Sequence, residues 1–375
     1  MKVAIASIGR FHVLDLAREL DKLGDVVAFY SYVPKKRAER FGLPAHCHRG
    51  LLPLVAPLVA WQNYAGGVLP GLQERAMAHA LDASVSALLE PCDVFICMSG
   101  FYLDAARTAK GRYGAQIWLE RGSRHILSQR EILGRIGAKP PSNFVVKREL
   151  AGYDLADRIV VPSSHVAESF KTHAPEYLDK VFVNPYGVDI DQFPMREAAP
   201  EGPPTVIFVG GWSRRKGVDA LVEAVRSLDG VRLLHIGGIV DVPFPDDPRF
   251  EHVNSVPQWR LKDYYARAHV FALASREEGL ALVQAQALAS GLRIVCTSRT
   301  GGADLRLSPT LTDRIEVTPY DDTLAFAQAL GRALAIATSD KLAPLPESDR
   351  ELLTWSAYGQ RYRDALVRAA ESKPS

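Results

Sequence analysis

A short charged turn stands directly in front of a helix-forming segment in the second half of the chain. The turn 276–279 (REEG) follows the apolar run 270–273 and precedes 282–289, which is rich in good helix formers. This order predicts a strand, a turn and a helix. The first N–H groups of such a helix lack intrahelical acceptors, and its dipole makes this end partly positive, so phosphate oxygens can bind there without a metal. An ordinary strand-to-helix connection would produce the same pattern.

A second loop combines two glycines with three cations. Gly210 and Gly211 follow an apolar strand pattern, and Arg214, Arg215 and Lys216 then open a helical one. Glycine lets the backbone approach a ligand closely, and the cations attract negative charge. The loop therefore fits an anionic ligand, although a solvated helix start would look the same.

Together the two loops resemble the carboxyl-terminal domain of retaining glycosyltransferases of family 4 (glycosyl transferases group 1), enzymes of the two-domain GT-B fold. The similarity extends to NPYGVDIDQF (184–193), HIGGI (235–239), TGGADL (300–305) and WSAYGQRYRDAL (355–366), and more loosely to ADRIVVPSSHVAESF (156–170) and GRFH (9–12). It implies an α/β chain of two Rossmann-like domains whose parallel sheets face each other across a cleft. In the family the glycine-rich loop binds the diphosphate of a nucleotide sugar, and a Glu-x7-Glu element contacts the sugar and the ribose.

The resemblance assigns the donor site to the second half. Lys216, Arg215 and Glu278 are expected to be catalytic, because cations stabilise the charge of a departing diphosphate while the carboxylate accepts hydrogen bonds from the donor sugar. A surface salt bridge with Arg276 is the alternative interpretation of Glu278. The other expected donor contacts are Gly210, Gly211, Ile239, Val256, Gly279, Leu280, Ala281, Leu282 and Gln286.

Three positions depart from the family pattern. Gln286 stands where the family has the second Glu of its Glu-x7-Glu element, Gly211 replaces an Arg, and Ala281 replaces a Gly. An amide both accepts and donates, whereas a carboxylate only accepts, so we expect a difference of about 1 kcal/mol at the ribose. Arg215 or Arg214 is expected to supply the missing charge of the loop.

The first half is expected to bind the acceptor. The segment WLERGSRHIL (118–127) follows a strand end, where the family commonly places polar residues that contact the reacting sugar. Glu120 and His125 are candidate catalytic residues, and Gly9, Arg10, His12 and Arg121 are candidates for the acceptor side. Glu120 and His125 could equally be satisfied loop residues, and His12 could cap a helix.

No metal and no other cofactor is expected. Asp189 and Asp191 form an Asp-x-Asp match in a connector, where turn chemistry explains them better. His46, Cys47 and His48 are adjacent, and three neighbouring side chains of a regular strand cannot all face one ion.

Composition points to a large globular chain. The 375 residues are 47% hydrophobic with a formal charge of only +2, which suits two domains and excludes a dedicated nucleic-acid binder. The four cysteines show no zinc spacing, so reduced structural thiols are expected. No secretory signal precedes the first strand pattern, and no apolar run reaches the roughly 18 residues of a spanning helix, so we expect a cytoplasmic protein.

Short apolar strands alternate with helical patterns along the chain, which is typical of parallel α/β sheets. Strands are predicted at 2–7, 26–30, 94–98, 116–119, 158–161, 180–183, 205–209, 232–236, 270–273 and 293–296. The Pro-rich stretch 194–204 predicts a hinge. We therefore expect an acceptor-binding domain at 1–195, a nucleotide-sugar-binding domain at 204–350, and a closing helix at 352–375 that packs back on the first domain.

An apolar segment in the first half follows a group of cations. The segment 51–72 carries Trp61 and Tyr64, and five cations lie within 35–49. This pairing suits a peripheral contact with the inner face of a membrane that carries a lipid-linked acceptor. Burial in the core or in an acceptor loop is the other interpretation, because three prolines interrupt any long amphipathic helix.

The resemblance implies a metal-independent, retaining enzyme that moves a hexose-type sugar from a nucleoside-diphosphate sugar to a carbohydrate or glycolipid acceptor, in cell-surface polysaccharide synthesis. Two alternatives stay open. A sugar-nucleotide epimerase shares the fold but needs acid and base residues around the sugar. A pseudoenzyme that only binds a glycan or scaffolds a partner would fit the departures at Gln286 and Gly211.

Overall fold

The computed structural model describes residues 1–65, 67–196, 198–339 and 344–371. The described strands form two sheets, and every pairing between neighbouring strands is parallel. Helices connect most successive strands within each sheet, which confirms the α/β class and the parallel sheets expected from the sequence.

The first sheet is built from residues before 184. Its strands are β1 (Lys2–Ser7), β2 (Val26–Ser31), β3 (His48–Gly50), β4 (Val94–Met98), β5 (Gln116–Glu120), β6 (Arg158–Val161) and β7 (Val181–Val183). Their order is β3-β2-β1-β4-β5-β6-β7. The central strands are buried along almost their whole length, as a sheet covered by helices on both faces requires.

The second sheet follows the same plan. Its strands are β8 (Thr205–Val209), β9 (Arg232–Ile236), β10 (Phe250–Val253), β11 (Val270–Leu273), β12 (Arg293–Thr297) and β13 (Ile315–Thr318). Their order is β10-β9-β8-β11-β12-β13. Ligands of such open sheets bind beyond the carboxyl ends of the strands.

The helices of the described residues are α1 (His12–Lys22), α2 (Lys35–Arg40), α3 (Leu52–Ala65), α4 (Pro70–Leu88), α5 (Leu103–Tyr113), α6 (Ile126–Arg135), α7 (Asn143–Leu155), α8 (Ser164–His173), α9 (Val218–Arg226), α10 (Leu261–Tyr265), α11 (Leu282–Ala289), α12 (Pro309–Asp313), α13 (Thr323–Ala337), α14 (Glu347–Leu352) and α15 (Trp355–Glu371). Short 3-10 turns lie between several of them. The predicted helix at 282–289 matches α11.

Three strands were missed from the sequence, and all three lie at sheet edges. β3 ends the first sheet, while β10 and β13 end the second sheet on either side. Edge strands have one free side and are only partly buried, so these segments carry polar residues that weaken the apolar pattern.

The last described helix returns to the first sheet. α15 packs against α1, and Gln116 Nε2 at the start of β5 donates to Ala369 O at 3.0 Å. Inside the same region Arg361 Nε donates to Asn184 Oδ1 at 2.9 Å. The predicted hinge and the predicted domains include residues 197, 340–343 and 372–375, which lie outside the described residues.

The apolar segment 51–72 differs from the expectation of burial. Its residues 52–65 form α3, with Pro57 inside the helix, and only Val55 of that helix is buried. Leu54 and Tyr64 of α3 are 55% and 91% exposed, and Leu69, the N-cap of α4, is 61% exposed. The helix therefore offers an uncharged apolar surface to its surroundings. Within the described residues no helix combines the length and the apolar character needed to cross a bilayer.

Candidate functional site

A cavity of about 660 Å³ lies between the two sheets. Its walls come from the loops after β1, β4 and β5 on one side and from the loops after β8 and β11 on the other. Both sets of loops follow the carboxyl ends of parallel strands, where open α/β sheets bind their ligands. The cavity is therefore the candidate functional site.

Glu278 is held in this cavity by two cations. Lys216 Nζ lies 2.9 Å from Glu278 Oε1, and Arg215 donates from Nη1 to the same oxygen. Burial raises the pKa of this carboxyl, but the charges of Lys216 and Arg215 outweigh burial and leave the pKa below its ordinary value. The alternative pairing with Arg276 does not occur, because Arg276 binds Asp219 through two bonds of 2.7 Å.

Glu277 orients this cluster, although the sequence assigned it no role. It is fully buried, and Arg215 Nη1 donates to its backbone oxygen at 3.0 Å. Ser123, from the opposite side of the cavity, donates to Oε1 of the same carboxylate. A Cβ at Gly279 would lie 1.9 Å from Gly122 O, so only glycine allows the two halves to touch here.

The amino end of α11 also faces the cavity. Its N-cap residue is Ala281, which makes no side-chain capping bond, and Leu280, Ala281 and Leu282 line the cavity. The uncapped N–H groups and the helix dipole make this wall attractive to anions. Gln286 lines the cavity one turn further on, and Tyr265 donates its hydroxyl to Gln286 Oε1 at 3.4 Å.

The glycine-rich loop forms the neighbouring wall. Gly210 and Gly211 line the cavity, and Gly210 has a φ of 145°, which favours glycine. Of the two arginines expected to replace the family's loop arginine, Arg215 contacts the charge cluster. Arg214 is exposed, and its N–H donates to Asp241 Oδ1 at 2.9 Å.

Glu120 lines the opposite wall but is already bonded on both oxygens. His12 Nε2 lies 2.8 Å from Oε2, and Tyr362 donates its hydroxyl to Oε1 at 2.7 Å. The His12 ring stacks on Tyr186 with 4.2 Å between centroids. His12 does not cap α1, because the N-cap residue is Phe11. The carboxylate of Glu120 thus ties α1 and α15 to the end of β5.

Arg121 and Arg10 also line the first-domain wall. Arg121 is buried, and its Nη1 donates to Glu149 Oε1 at 3.0 Å. The guanidinium carbon of Arg10 lies 3.5 Å from the centroid of the Phe41 ring. Both cations are held by neighbours of the first domain.

His125 does not line the cavity, contrary to the expectation for a catalytic residue. It is the N-cap of α6 and is fully buried, with its ring stacked on His173 at 5.3 Å between centroids. Burial, together with the neighbouring His173 and Arg121, lowers its pKa to about 4. The structure therefore assigns His125 to capping and packing.

Five other expected site residues lie outside the cavity lining. They are Gly9, Arg215, Ile239, Val256 and Gly279. Arg215 reaches the site only through its bonds to Glu277 and Glu278. Ile239 is 45% exposed and pairs in a β-bridge with Trp212, whereas Gly279 is used in the contact with Gly122.

Several lining residues were not predicted. They are Ser99, Glu149, Tyr186, Gln258 and Trp355. Tyr186 and Trp355 belong to segments quoted for the family resemblance, so those motifs carried a signal for them. Ser99 and Glu149 lie far apart in sequence and meet only in the fold, where Ser99 donates to Glu149 Oε1 at 2.8 Å.

One group among the described residues has donor atoms close enough for a metal ion, and it lies away from the cavity. Asp21, His46 and Cys47 place their ligand atoms within 4.8 Å of one another. His48, by contrast, directs its Nε2 to Val33 O at 2.9 Å. His46 Nε2 lies 2.7 Å and Cys47 Sγ lies 3.3 Å from Asp21 Oδ1. These two hydrogen bonds explain why the three side chains lie close together without an ion.

The second half of the chain matches a known protein family. Residues 203–335 match the family described as Glycosyl transferases group 1. The chain is also 28% identical over 251 residues to D-inositol 3-phosphate glycosyltransferase of Xylanimonas cellulosilytica. That alignment covers 59% of this chain and 59% of the relative, so the match spans about three fifths of the relative's length.

Solved structures resemble the whole chain. Sucrose-phosphate synthase from Thermosynechococcus elongatus superposes with a TM-score of 0.71 and 17% identity over 100% of both chains. Anabaena HepE in complex with UDP superposes with a TM-score of 0.63 and 12% identity, covering 98% of this chain and 100% of that one. At such low identity the likeness establishes the fold, which is GT-B.

Proposed function

Because residues 203–335 form a glycosyl transferases group 1 domain within a GT-B fold, we propose that the protein is a retaining, metal-independent glycosyltransferase. Its donor is a nucleoside-diphosphate sugar of the hexose type, and its acceptor is a carbohydrate or a glycolipid of cell-surface polysaccharide synthesis. The observation that carries the proposal is the pair of Lys216 and Glu278 beside the amino end of α11 in the cavity between the domains. Arg215 lies behind this pair and donates to Glu278.

The cluster fits the charge changes of glycosyl transfer. Cleavage of the bond between the anomeric carbon and the diphosphate leaves negative charge on the departing oxygens. Lys216, Arg215 and the uncapped N–H groups of α11 are fixed in place to stabilise that charge. The HepE neighbour was solved with UDP, which agrees with a diphosphate ligand in such a fold.

Glu278 serves the donor sugar in this proposal. Its carboxylate is ionised, so it accepts hydrogen bonds from sugar hydroxyls. Two cations hold it, which suits positioning better than nucleophilic attack. Retention then needs no enzyme nucleophile, because the departing phosphate assists the acceptor hydroxyl on the same face of the sugar. Glu120 is also unsuited to attack, since His12 and Tyr362 occupy its oxygens.

The exposed apolar helix supports a lipid-linked acceptor and a peripheral membrane contact. α2 and α3 follow β2 and β3, neighbouring parallel strands whose ends pair Ser31 with Gly50. The cations of α2 and the uncharged surface of α3 therefore begin at the same edge of the sheet as the cavity. Apolar area beside cations favours anionic lipid surfaces. We expect binding to anionic vesicles that weakens when Leu54 and Leu69 are both replaced by Asp, whereas unchanged binding would exclude this surface.

A thermal-shift screen tests the donor. The purified protein is heated with UDP, GDP, ADP, CMP and their sugar conjugates, first with a chelator and then with magnesium. A ligand at one hundred times its dissociation constant adds about 2.7 kcal/mol of stability, so a shift with one diphosphate in chelator is the expected result. Slow hydrolysis of the matching nucleotide sugar would accompany it in an enzyme. Binding without any turnover, with or without acceptor glycans, would favour a scaffold, and a shift that requires magnesium would contradict metal independence.

A further inference from the structure

The peptide between Gly210 and Gly211 has a fixed direction. Its carbonyl oxygen accepts a hydrogen bond from His235 Nε2 at 2.8 Å, inside the second domain. No described peptide bond is cis, and the C=O and N–H of a trans peptide point in opposite directions. The N–H of Gly211 therefore points away from His235, on the side where Gly210 and Gly211 line the cavity.

This N–H has no acceptor among the described residues, whereas its neighbours do. Gly210 N donates to Ile236 O at 2.9 Å, and Trp212 N donates to Gly238 O at 2.8 Å. Backbone N–H groups at the edge of a cavity bind water or a ligand when the protein supplies no partner. An oriented and unpaired N–H beside Lys216 is a binding group for an anion.

The two hydrogen-bond partners of His235 define which of its ring nitrogens carries the proton. A carbonyl oxygen only accepts, so His235 Nε2 carries the proton, and Nδ1 of the neutral ring is an acceptor. His252 Nδ1 lies 2.9 Å from His235 Nδ1 and therefore donates to it. Burial lowers the pKa of His235 to about 4, so the ring is neutral near pH 7. The chain of donors runs from His252 through His235 to the Gly210 carbonyl.

His235 stands where packing alone would not require a polar residue. The ring is fully buried and lies nearly parallel to the rings of Phe208 and Phe244, with centroids 5.3 Å and 5.7 Å away. A phenylalanine would fill such a place without two nitrogens that need partners. A Cβ at Gly237 would lie only 2.0 Å from Gly210 O, so the loop passes tightly over β9 at this point. The hydrogen bond, more than the packing, explains a histidine.

We propose that His235, oriented by His252, is a positioning residue that turns the Gly211 N–H into the cavity to bind the diphosphate of the donor. The inference rests on the proposed function, since it concerns the same donor site. His235 acts through the loop and does not touch the substrate.

Two variants test the role. His235→Phe keeps an aromatic ring but removes the donor, and His235→Gln keeps an N–H of similar reach. Affinities are measured by calorimetry for inorganic pyrophosphate, for UDP and GDP, and for uridine and guanosine. Loss of one hydrogen bond to an anion corresponds to a roughly tenfold weaker affinity. We expect this loss for pyrophosphate and the bound diphosphate in His235→Phe, unchanged nucleoside binding, and recovery in His235→Gln.

The outcomes separate this inference from the proposed function. If His235→Phe bound pyrophosphate or the nucleotide with the affinity of the wild type, the positioning role would be overturned and the proposed donor site would still stand. A loss shared by the nucleosides, with no recovery in His235→Gln, would reduce His235 to a packing residue. Failure of the wild type to bind any of these ligands would overturn both. Long-range ¹H–¹⁵N spectra of the wild type must also place the His235 proton on Nε2, and a proton on Nδ1 would contradict the inference directly.

Discussion

The two walls of the cavity are built in different ways. On the second-domain wall, Lys216 and Glu278 meet between two loops, and each loop is a compact motif in the sequence. On the first-domain wall, Glu120 is bonded to His12 and Tyr362, which lie 108 and 242 residues away. Local motifs thus reveal groups that face a ligand, whereas long-range contacts decide which polar groups are already hydrogen-bonded.

Lys216→Ala should have the largest effect on activity. It removes a cation from the place where leaving-group charge develops, and loss of one such preorganised group typically lowers kcat by about 10²–10³. The measurement is the turnover of the nucleotide sugar identified by the screen. The same substitution also releases one partner of Glu278 Oε1.

Lys171→Ala is the matched control. Lys171 is an exposed lysine on α8 that pairs with Glu168 and lies outside the cavity lining. Its replacement should leave turnover unchanged. If Lys216→Ala turned over the nucleotide sugar as fast as the wild type, the second-domain wall would have no special role in catalysis.

Tyr362→Phe should act mainly on stability. It deletes the hydroxyl that donates to Glu120 Oε1 at 2.7 Å and leaves a buried carboxylate oxygen unpaired. We expect a loss of about 1–3 kcal/mol in the free energy of unfolding, measured by urea titration. Tyr113→Phe is a control on the first domain, because that hydroxyl bonds a backbone carbonyl at a partly buried site. A variant with full stability and abolished turnover would show that the first wall is catalytic after all.

Much of the fold was predictable, because apolar strand patterns depend on local burial. β1, β4, β6, β8, β9 and β11 have the predicted bounds, and the edge strands β3, β10 and β13 were missed because they are only partly buried. At the site, the charge cluster followed from its motifs. The position of His125 did not, since its burial depends on aromatic neighbours such as Phe170 and Tyr153 from later helices. Glu277 was missed because its partner Ser123 belongs to the other domain.

His165 of the first domain bonds to Glu278 of the second and should give this interdomain contact a pH dependence. Its Nε2 donates to Glu278 O at 2.7 Å, and burial, together with Arg124 and Arg299, lowers its pKa to about 4 from an ordinary 6.5. Between these values the unfolded chain binds more protons, so this residue makes stability rise with pH and reaches its full contribution above 6.5.

The test compares the wild type with His165→Gln between pH 4 and pH 7. Removing one such group should flatten the rise in unfolding free energy by up to about 1.4 kcal/mol per pH unit. His79→Gln is the control, because His79 is an exposed histidine on α4, outside this interdomain contact. Parallel stability curves for wild type and His165→Gln would mean that His165 titrates alike in the folded and unfolded chain.

Gln286→Glu should have the smallest effect and tests how far the second-domain wall tolerates change. Gln286 lines the cavity, and its Oε1 is an acceptor for Tyr265, an interaction that a carboxylate preserves. The substitution introduces the family's carboxylate and removes an amide donor, so the affinity for the nucleoside diphosphate should change by no more than about fivefold, or about 1 kcal/mol. Calorimetry with the ribonucleotide and its 2′-deoxy analogue measures the change. If both ligands respond equally, Gln286 does not contact the ribose 2′-hydroxyl; a change confined to the ribonucleotide would place the amide at the sugar ring.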